Sequence, residues 1–84
     1  MGVNLHQILA FNAAAKHRSF SRAAEALGVT QSSVTQNIAK FEAIVGAYLL
    51  ERRLSGLVLT PAGRRIHRVT EEIGLLQTQL EARI

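Results

Sequence analysis

The sequence has 84 residues, and 48% of them are hydrophobic. This length allows one small domain with a single modest core, and the apolar content excludes a disordered chain. Cysteine is absent, which excludes disulfides and thiolate metal sites. Ten Lys and Arg against six acidic residues give a formal net charge of +4, which favours an anionic partner such as nucleic acid or a membrane surface.

The N-terminal stretch MGVNLHQILAF has neither the basic start nor the long apolar centre of a signal peptide. The apolar runs at 8–11 and 47–50 are far shorter than the roughly 20 residues that a membrane-spanning helix needs. We therefore expect a soluble, cytoplasmic protein that spans no membrane, and a membrane is not among its expected partners.

A first helix is predicted from Leu5 to about Lys16, because apolar residues recur there at helical spacing. Asn4 can cap this helix, and Gln7, three residues on, can complete a capping box. The apolar stripe, which should face the core, consists of Leu5, Ile8, Leu9, Phe11 and Ala15.

A second helix should begin with Ser21 as its N-cap and end at Gly28, where glycine suits a left-handed backbone. Its predicted buried face consists of Ala23, Ala24 and Leu27. The two alanines allow a neighbouring helix to approach closely.

Thr30 is the predicted cap of a third helix over roughly Gln31 to Val45, which ends at Gly46. Its apolar positions, at spacings of four, three and four, are Val34, Ile38, Phe41 and Val45. The second and third helices, joined by a three-residue turn at 28–30, form a helix-turn-helix.

The other side of the third helix carries uncharged hydrogen-bonding side chains. They are Gln31, Ser32, Ser33, Thr35 and Gln36. Gln can bond adenine bidentately in the major groove, and Ser or Thr can bond bases or phosphates. The alternative is a solvated surface, but Ser and Thr lower helix propensity, so a purely structural helix gains nothing from them.

A short hairpin is predicted next, from strands Leu50–Arg53 and Leu57–Leu59 joined through 54–56. After a helix-turn-helix, such a hairpin would be a wing. The basic residues expected near DNA phosphates or a minor groove are Arg22, Lys40, Arg52 and Arg53. Each alone is more typical of solvated surface, and only their placement around one face favours a DNA contact.

A last helix should start with Thr60 as cap and Pro61 at its first position, and it can run to the end of the chain. A narrow seam, spaced three, four, three and four, consists of Ile66, Val69, Ile73, Leu76 and Leu80. This spacing is typical of a coiled coil and predicts a dimer contact. The alternative is packing on the domain's own core, and we expect the first part of the helix to do both.

Several separated motifs occur in a fixed order. They are SFSRAAEAL (19–27), TQ (30–31), VT (34–35), LLER (49–52) and LTPAG (59–63), with Ile38, Phe41, Glu42 and Gly46 between them. Together they resemble the N-terminal domain of LysR-type transcriptional regulators over nearly the whole chain. The resemblance implies a winged helix-turn-helix that dimerises through a long linker helix. It also implies a separate effector-binding domain of periplasmic-binding-protein type, through which alone a small-molecule effector would bind.

The resemblance places the family's base-reading positions on the polar residues of the third helix already given, and the wing contact on Arg52 or Arg53. Members usually carry Pro at position 32, Ser at 35 and a basic residue at 36. Because Gln36 is uncharged, the expected base preference shifts from guanine toward adenine. An Arg often found at the wing tip is missing from Leu54-Ser55-Gly56.

An enzyme is not expected, and neither is a cofactor or a metal. His6, His17 and His67 are far apart, no pair of them has metal-ligand spacing, and Asp is absent altogether. Glu71 and Glu72 are more typical of a solvated helix face than of catalytic carboxylates.

The prediction is a mainly α fold, with a winged helix-turn-helix DNA-binding domain over 1–60 and a linker or dimerisation helix over 61–84. The predicted function is sequence-specific binding of double-stranded DNA by a homodimeric transcription regulator. The third helix would lie in the major groove, and the wing near the backbone or the minor groove. The alternative is a winged helix that serves only protein interaction, which would leave the polar third helix unexplained. We expect the chain to be a DNA-binding fragment without the effector-binding domain.

Overall fold

Over residues 2–84, four helices and one antiparallel hairpin follow one another, which confirms the expected mainly α, winged helix-turn-helix fold. They are seen in a computed structural model that describes residues 2–84. In chain order the elements are α1 (Leu5–His17), α2 (Phe20–Leu27), α3 (Gln31–Val45), β1 (Leu50–Arg53), β2 (Gly56–Leu59) and α4 (Pro61–Ala82).

Side-chain caps start α1, α3 and α4 at the predicted residues. Asn4 Oδ1 accepts a hydrogen bond from Gln7 N at 3.0 Å, and Gln7 Oε1 accepts one from Asn4 N at 3.2 Å. The hydroxyls of Thr30 and Thr60 each accept the backbone N–H three residues on, at 3.0 Å. Such caps depend only on residues close in sequence, which is why they could be predicted.

The start and the buried face of α2 differ from the prediction. Ser19, not Ser21, is the N-cap, and its Oγ accepts a hydrogen bond from Arg22 N at 3.1 Å. Because α1 ends at Arg18 in a left-handed conformation with φ 57°, Ser19 is extended and its hydroxyl reaches the first turn of α2. Leu27 is 37% exposed rather than buried, since it is the last residue of α2.

The centre of the core lies where α1 meets α3 and α4. Phe11 is fully buried, and its ring centroid lies 5.7 Å from that of Phe41. His67 of α4 meets the Phe11 ring edge-on, with centroids 5.8 Å apart. The other buried apolar residues are Ile8, Ala10, Ala13, Ala14, Ala23, Ala24, Val34, Ile38, Leu49 and Leu57. The alanines of α1 and α2 bring the helix backbones close together, so this core orients α3 with its polar side outward.

The segment that leads into the hairpin is fixed between α3 and α4. Glu42 Oε2 accepts hydrogen bonds from Leu49 N at 2.8 Å and Leu50 N at 3.4 Å. The carbonyl of Leu49 accepts Thr60 N at 3.1 Å. A Cβ atom at Gly63 would overlap that carbonyl, so only glycine allows α4 to approach so closely.

The hairpin itself is a regular two-residue connection. Leu50 stands opposite Leu59 and Arg53 opposite Gly56, so the loop is 54–55 and β2 begins one residue before the predicted Leu57. Gly56 has φ 115°, a conformation that glycine adopts readily, and this allows it to belong to the strand rather than to the loop.

α4 divides the predicted apolar seam between the domain's own core and solvent. Ile66 and Ile73 are half-buried and pack against the core. Val69, Leu76 and Leu80 are 57%, 58% and 64% exposed. The seam is therefore not one continuous apolar strip, and only its exposed residues are available to contact a partner helix. Within residues 2–84, no helix combines the length and apolar character that a membrane span requires.

Candidate nucleic-acid interface

The outward side of α3 carries the uncharged polar residues that the sequence predicts to read bases. Since Val34, Ile38 and Phe41 are buried, the opposite side of the helix faces solvent. Of the predicted residues, Gln31, Ser32 and Gln36 are exposed, while Ser33 and Thr35 are half-buried. The helix therefore presents a polar strip that a partner can contact.

Two of these polar side chains donate hydrogen bonds back along the helix. Gln36 Nε2 donates to Ser32 Oγ at 3.2 Å, and Thr35 Oγ1 donates to the Ser32 carbonyl at 3.1 Å. Such exposed bonds contribute little net free energy and exchange readily for bonds to another partner. The strip is thus ordered without a ligand and still able to donate to and accept from base edges.

The N-terminus of α3 adds backbone donors to this strip. Thr30 Oγ1 accepts Ser33 N, and the carbonyl of Thr30 accepts Val34 N. The preceding N–H groups, at Gln31 and Ser32, belong to the first turn and have no acceptor among residues 2–84. Exposed donors at the positive end of a helix favour a phosphate.

All four predicted basic residues are exposed, but they lie in different places. Arg22 is on α2, Arg52 and Arg53 are on β1, and Lys40 is on α3. Lys40 follows Gln36 at a spacing of four, so it extends the polar strip of α3 toward its C-terminus. The basic residues therefore border the polar strip on more than one side.

The two wing arginines have different surroundings. Arg53 Nη2 lies 3.1 Å from Glu51 Oε2, and these side chains are 61% and 53% exposed, so the ion pair contributes little to stability. The guanidinium of Arg52 lies 5.2 Å from the centroid of the Phe20 ring, a cation–π contact that restricts its position. Arg52 is thus held against the body of the domain, while Arg53 has a neighbouring negative charge.

A cleft of about 290 Å³ joins the wing to the N-termini of α2 and α3. Its lining includes Gln31, Arg52 and Arg53, which the structure therefore brings together, and also Ser21. Lys40 and Arg22 do not line it. The cleft combines cationic side chains, hydroxyl groups and helix N-termini, a set of groups that suits a phosphate backbone.

Three residues of this region were not predicted as functional from the sequence. Phe20 contacts Arg52, and Ser21 lines the cleft instead of capping α2. Arg18 also lines the cleft, and its side chain bonds to the wing. Phe20 and Ser21 lie in the motif at 19–27, but no local signal indicates that Arg18 adopts a left-handed conformation.

Within residues 2–84, no three His, Cys, Asp or Glu side chains are grouped so that they could hold a metal ion. His67 packs edge-on against Phe11, so it has a structural role at the border of the core. The other two histidines lie on α1, at positions 6 and 17.

Comparisons with known proteins agree with this geometry. The sequence profile described as "Bacterial regulatory helix-turn-helix protein, lysR family" matches residues 5–64. The chain is 37% identical over 81 residues to the RuBisCO operon transcriptional regulator of Allochromatium vinosum, an alignment that covers 96% of this chain and 27% of that protein. The chain spans about a quarter of the length of the curated relatives that it matches.

Solved structures with the same fold include complexes with DNA. The CbnR_DBD–DNA complex has a TM-score of 0.82 at 31% identity, over 96% of this chain and 93% of that chain. Vibrio fischeri DarR in complex with DNA has a TM-score of 0.81 at 34% identity, over 98% of this chain and 27% of that chain.

Proposed function

Since the chain belongs to the lysR family of bacterial regulatory helix-turn-helix proteins, we propose that it binds double-stranded DNA sequence-specifically as a homodimeric transcription regulator. The observation that carries this proposal is the uncharged polar strip of α3, which lies beside a basic cleft. α3 would enter the major groove, and the wing would lie against the backbone or the minor groove. Solved complexes of the similar CbnR and DarR chains with DNA support DNA as the partner.

The roles within the interface follow from what each side chain can contact. Gln31, Ser32, Ser33, Thr35 and Gln36 would meet base edges or the nearest phosphates. Arg22, Lys40, Arg52 and Arg53 would contact phosphates, which gives affinity without sequence information. Base preference would therefore depend on α3 and on the shape of the DNA.

The dimer would form through α4. Its exposed apolar residues Val69, Leu76 and Leu80 supply the contact, whereas Ile66 and Ile73 contribute mainly to the domain's own core. Residues 1–60 would thus form the DNA-binding unit and residues 61–84 the dimerisation helix. The protein would act in the cytoplasm, and a small-molecule effector would bind only through a further domain outside these residues.

The DNA-binding proposal is tested by selecting bound duplexes from a random library at one stated, roughly physiological salt concentration. We expect enrichment of an imperfect inverted repeat, because a two-fold dimer presents two copies of α3. Retained binding with no enriched sequence would contradict sequence-specific recognition by this chain. A chain that dimerises but binds no duplex even at low salt would instead support a role in protein interaction alone.

The dimer is tested separately by placing a charge on the exposed part of α4. Leu76→Glu should weaken dimerisation by at least about tenfold, because an unpaired carboxylate would be buried between the helices. Thr78→Glu, which adds the same charge at another exposed position of α4, is the matched control. Equal effects of the two variants in sedimentation equilibrium would contradict a contact through Leu76.

A further inference from the structure

Arg18 has an unusual backbone conformation at the point where α1 ends. Within residues 2–84 it is the only residue other than glycine with positive φ, at 57°. The left-handed region is unfavourable for a residue with a Cβ atom, because that atom crowds the following carbonyl. A side chain kept at such a position is expected to make contacts that glycine could not make.

The side chain and the carbonyl of Arg18 bond to the wing, whereas its backbone N–H donates to the Ala14 carbonyl of α1 at 2.9 Å. Its Nε donates to the Leu57 carbonyl at 3.1 Å, and its Nη2 donates to Ser55 Oγ at 3.1 Å. Its own carbonyl accepts Leu57 N at 3.0 Å. One residue thus binds both backbone groups of Leu57 and reaches the loop of the hairpin.

The register of the hairpin explains why these groups of β2 are available. Leu57 stands opposite Arg52 of β1. Because pairs in an antiparallel ladder alternate, residues of a non-hydrogen-bonded pair direct their N–H and C=O groups away from the other strand. Leu57 is such a residue, and Arg18 takes the place of a third strand at the outer edge of β2.

The neighbouring glycine makes this approach possible. A Cβ atom on Gly56 would lie 2.8 Å from the carbonyl oxygen of Arg18. The end of α1 and the start of β2 are therefore in close contact through their backbones. Two residues beyond Arg18, Phe20 at the start of α2 contacts the guanidinium of Arg52. The end of α1 and the start of α2 therefore support both strands of the wing.

From these contacts we infer that Arg18 is a positioning residue that fixes the wing, and with it Arg52, relative to α3. The inference rests on the proposed DNA binding, in which Arg52 and α3 must meet one duplex together. In this role Arg18 acts through the wing, to which its Nε and Nη2 both donate. Without it, the wing keeps its charges but loses their fixed distance from α3.

The first measurement is amide hydrogen exchange of the 84-residue chain. Arg18→Gly removes the side chain and also relieves the left-handed strain, so the variant should fold. We expect Leu57 N–H to exchange at least about tenfold faster. Its acceptor, the carbonyl of residue 18, remains but is no longer held against β2 by the side-chain bonds. Arg18→Asn, which tolerates the same conformation but cannot reach Leu57, should behave alike. Unchanged exchange at Leu57 in both variants would overturn the inference.

The second measurement is a double-mutant cycle in duplex affinity with Arg52→Ala. If Arg18 positions Arg52, Arg52→Ala should lower duplex affinity by a factor at least about threefold smaller in the Arg18→Gly background than in the unaltered chain. Arg22→Ala, a change on α2 away from the cleft, should cost the same in both backgrounds. Additive losses for Arg52→Ala would indicate that Arg18 contacts phosphate by itself and would overturn the positioning role.

The two measurements separate this inference from the proposed function. If the unaltered chain binds no duplex while Leu57 exchange responds to Arg18→Gly, the proposed function is wrong and the role of Arg18 in DNA binding falls with it. If the chain binds duplex DNA and the cycle is additive, only the inference about Arg18 is wrong.

Discussion

The polar strip of α3 and the arginines of the wing belong to one surface, but different parts of the chain hold them in place. The orientation of α3 follows from its own apolar residues, which are buried and turn the polar residues outward. The wing depends on distant partners, since Arg18 bonds to β2 and Glu42 bonds to the residues that open β1. The groups proposed to contact bases are thus placed by local periodicity and the two wing arginines by tertiary contacts, so mutations can perturb the two separately.

The largest expected effect comes from removing the support of α3. Phe41→Ala should lower the free energy of unfolding by about 3–5 kcal/mol, because it leaves a cavity beside Phe11. Urea unfolding measures this loss. Phe41→Leu, which keeps much of the volume, should cost less than half as much. A loss below about 1 kcal/mol for Phe41→Ala would mean that the contact with Phe11 does not orient α3.

A smaller loss is expected where α3 meets the wing. Glu42→Ala removes the acceptor of Leu49 N and Leu50 N, and should lower the free energy of unfolding by about 1–3 kcal/mol. Glu25→Ala, at an exposed position of α2, is the control and should change stability by no more than about 0.5 kcal/mol. Equal free energies of unfolding for Glu42→Ala and Glu25→Ala, measured in urea, would show that the wing does not depend on Glu42.

A change of base preference should follow from Gln36→Ala. We expect it to alter the preference at the contacted base pair by about 1–3 kcal/mol, whereas Arg22→Ala should weaken all duplexes alike. Competition between the selected duplex and single-base variants of it measures both effects. If Gln36→Ala lowers the affinity for specific and random duplexes equally, this side chain does not contact a base. The proposed difference in role between the polar strip of α3 and the basic residues would then be wrong.

The smallest expected effect concerns salt. Arg52→Ala should reduce the slope of log affinity against log salt by about 0.9, the change for one phosphate contact. Arg53→Ala should reduce it less, because Glu51 already neutralises part of the Arg53 charge. Titrations at several salt concentrations compare the two. A larger slope change for Arg53→Ala would reverse the roles inferred for the two arginines.

Local signals were sufficient for most of the helices. The caps at Asn4, Thr30 and Thr60 lie three residues from the N–H groups that they accept, so a short window of sequence contains both partners. The same window could not separate Ser19 from Ser21 as the cap of α2, since both serines precede the buried alanines Ala23 and Ala24. The backbone conformation of Arg18 decides between them.

The candidate interface divides in the same way. The polar residues of α3 could be predicted because a helix with one apolar side must expose the other. The different surroundings of Arg52, held by Phe20, and Arg53, beside Glu51, could not be predicted. The contact between Arg52 and Phe20 joins residues far apart in sequence. The seam of α4 had the spacing of a coiled coil, but spacing does not say which residues the domain's own core will cover.

The sequence by itself determined which segments are helical, three of the four helix starts and the polar side of α3. These features depend on neighbours within one or two helical turns. Only the tertiary structure decided where the wing sits, which apolar residues of α4 stay exposed, and that Arg18 joins the end of α1 to β2. These features depend on contacts between residues as far apart as Arg18 and Leu57. Such contacts form only once the helices have packed, and no local pattern encodes them.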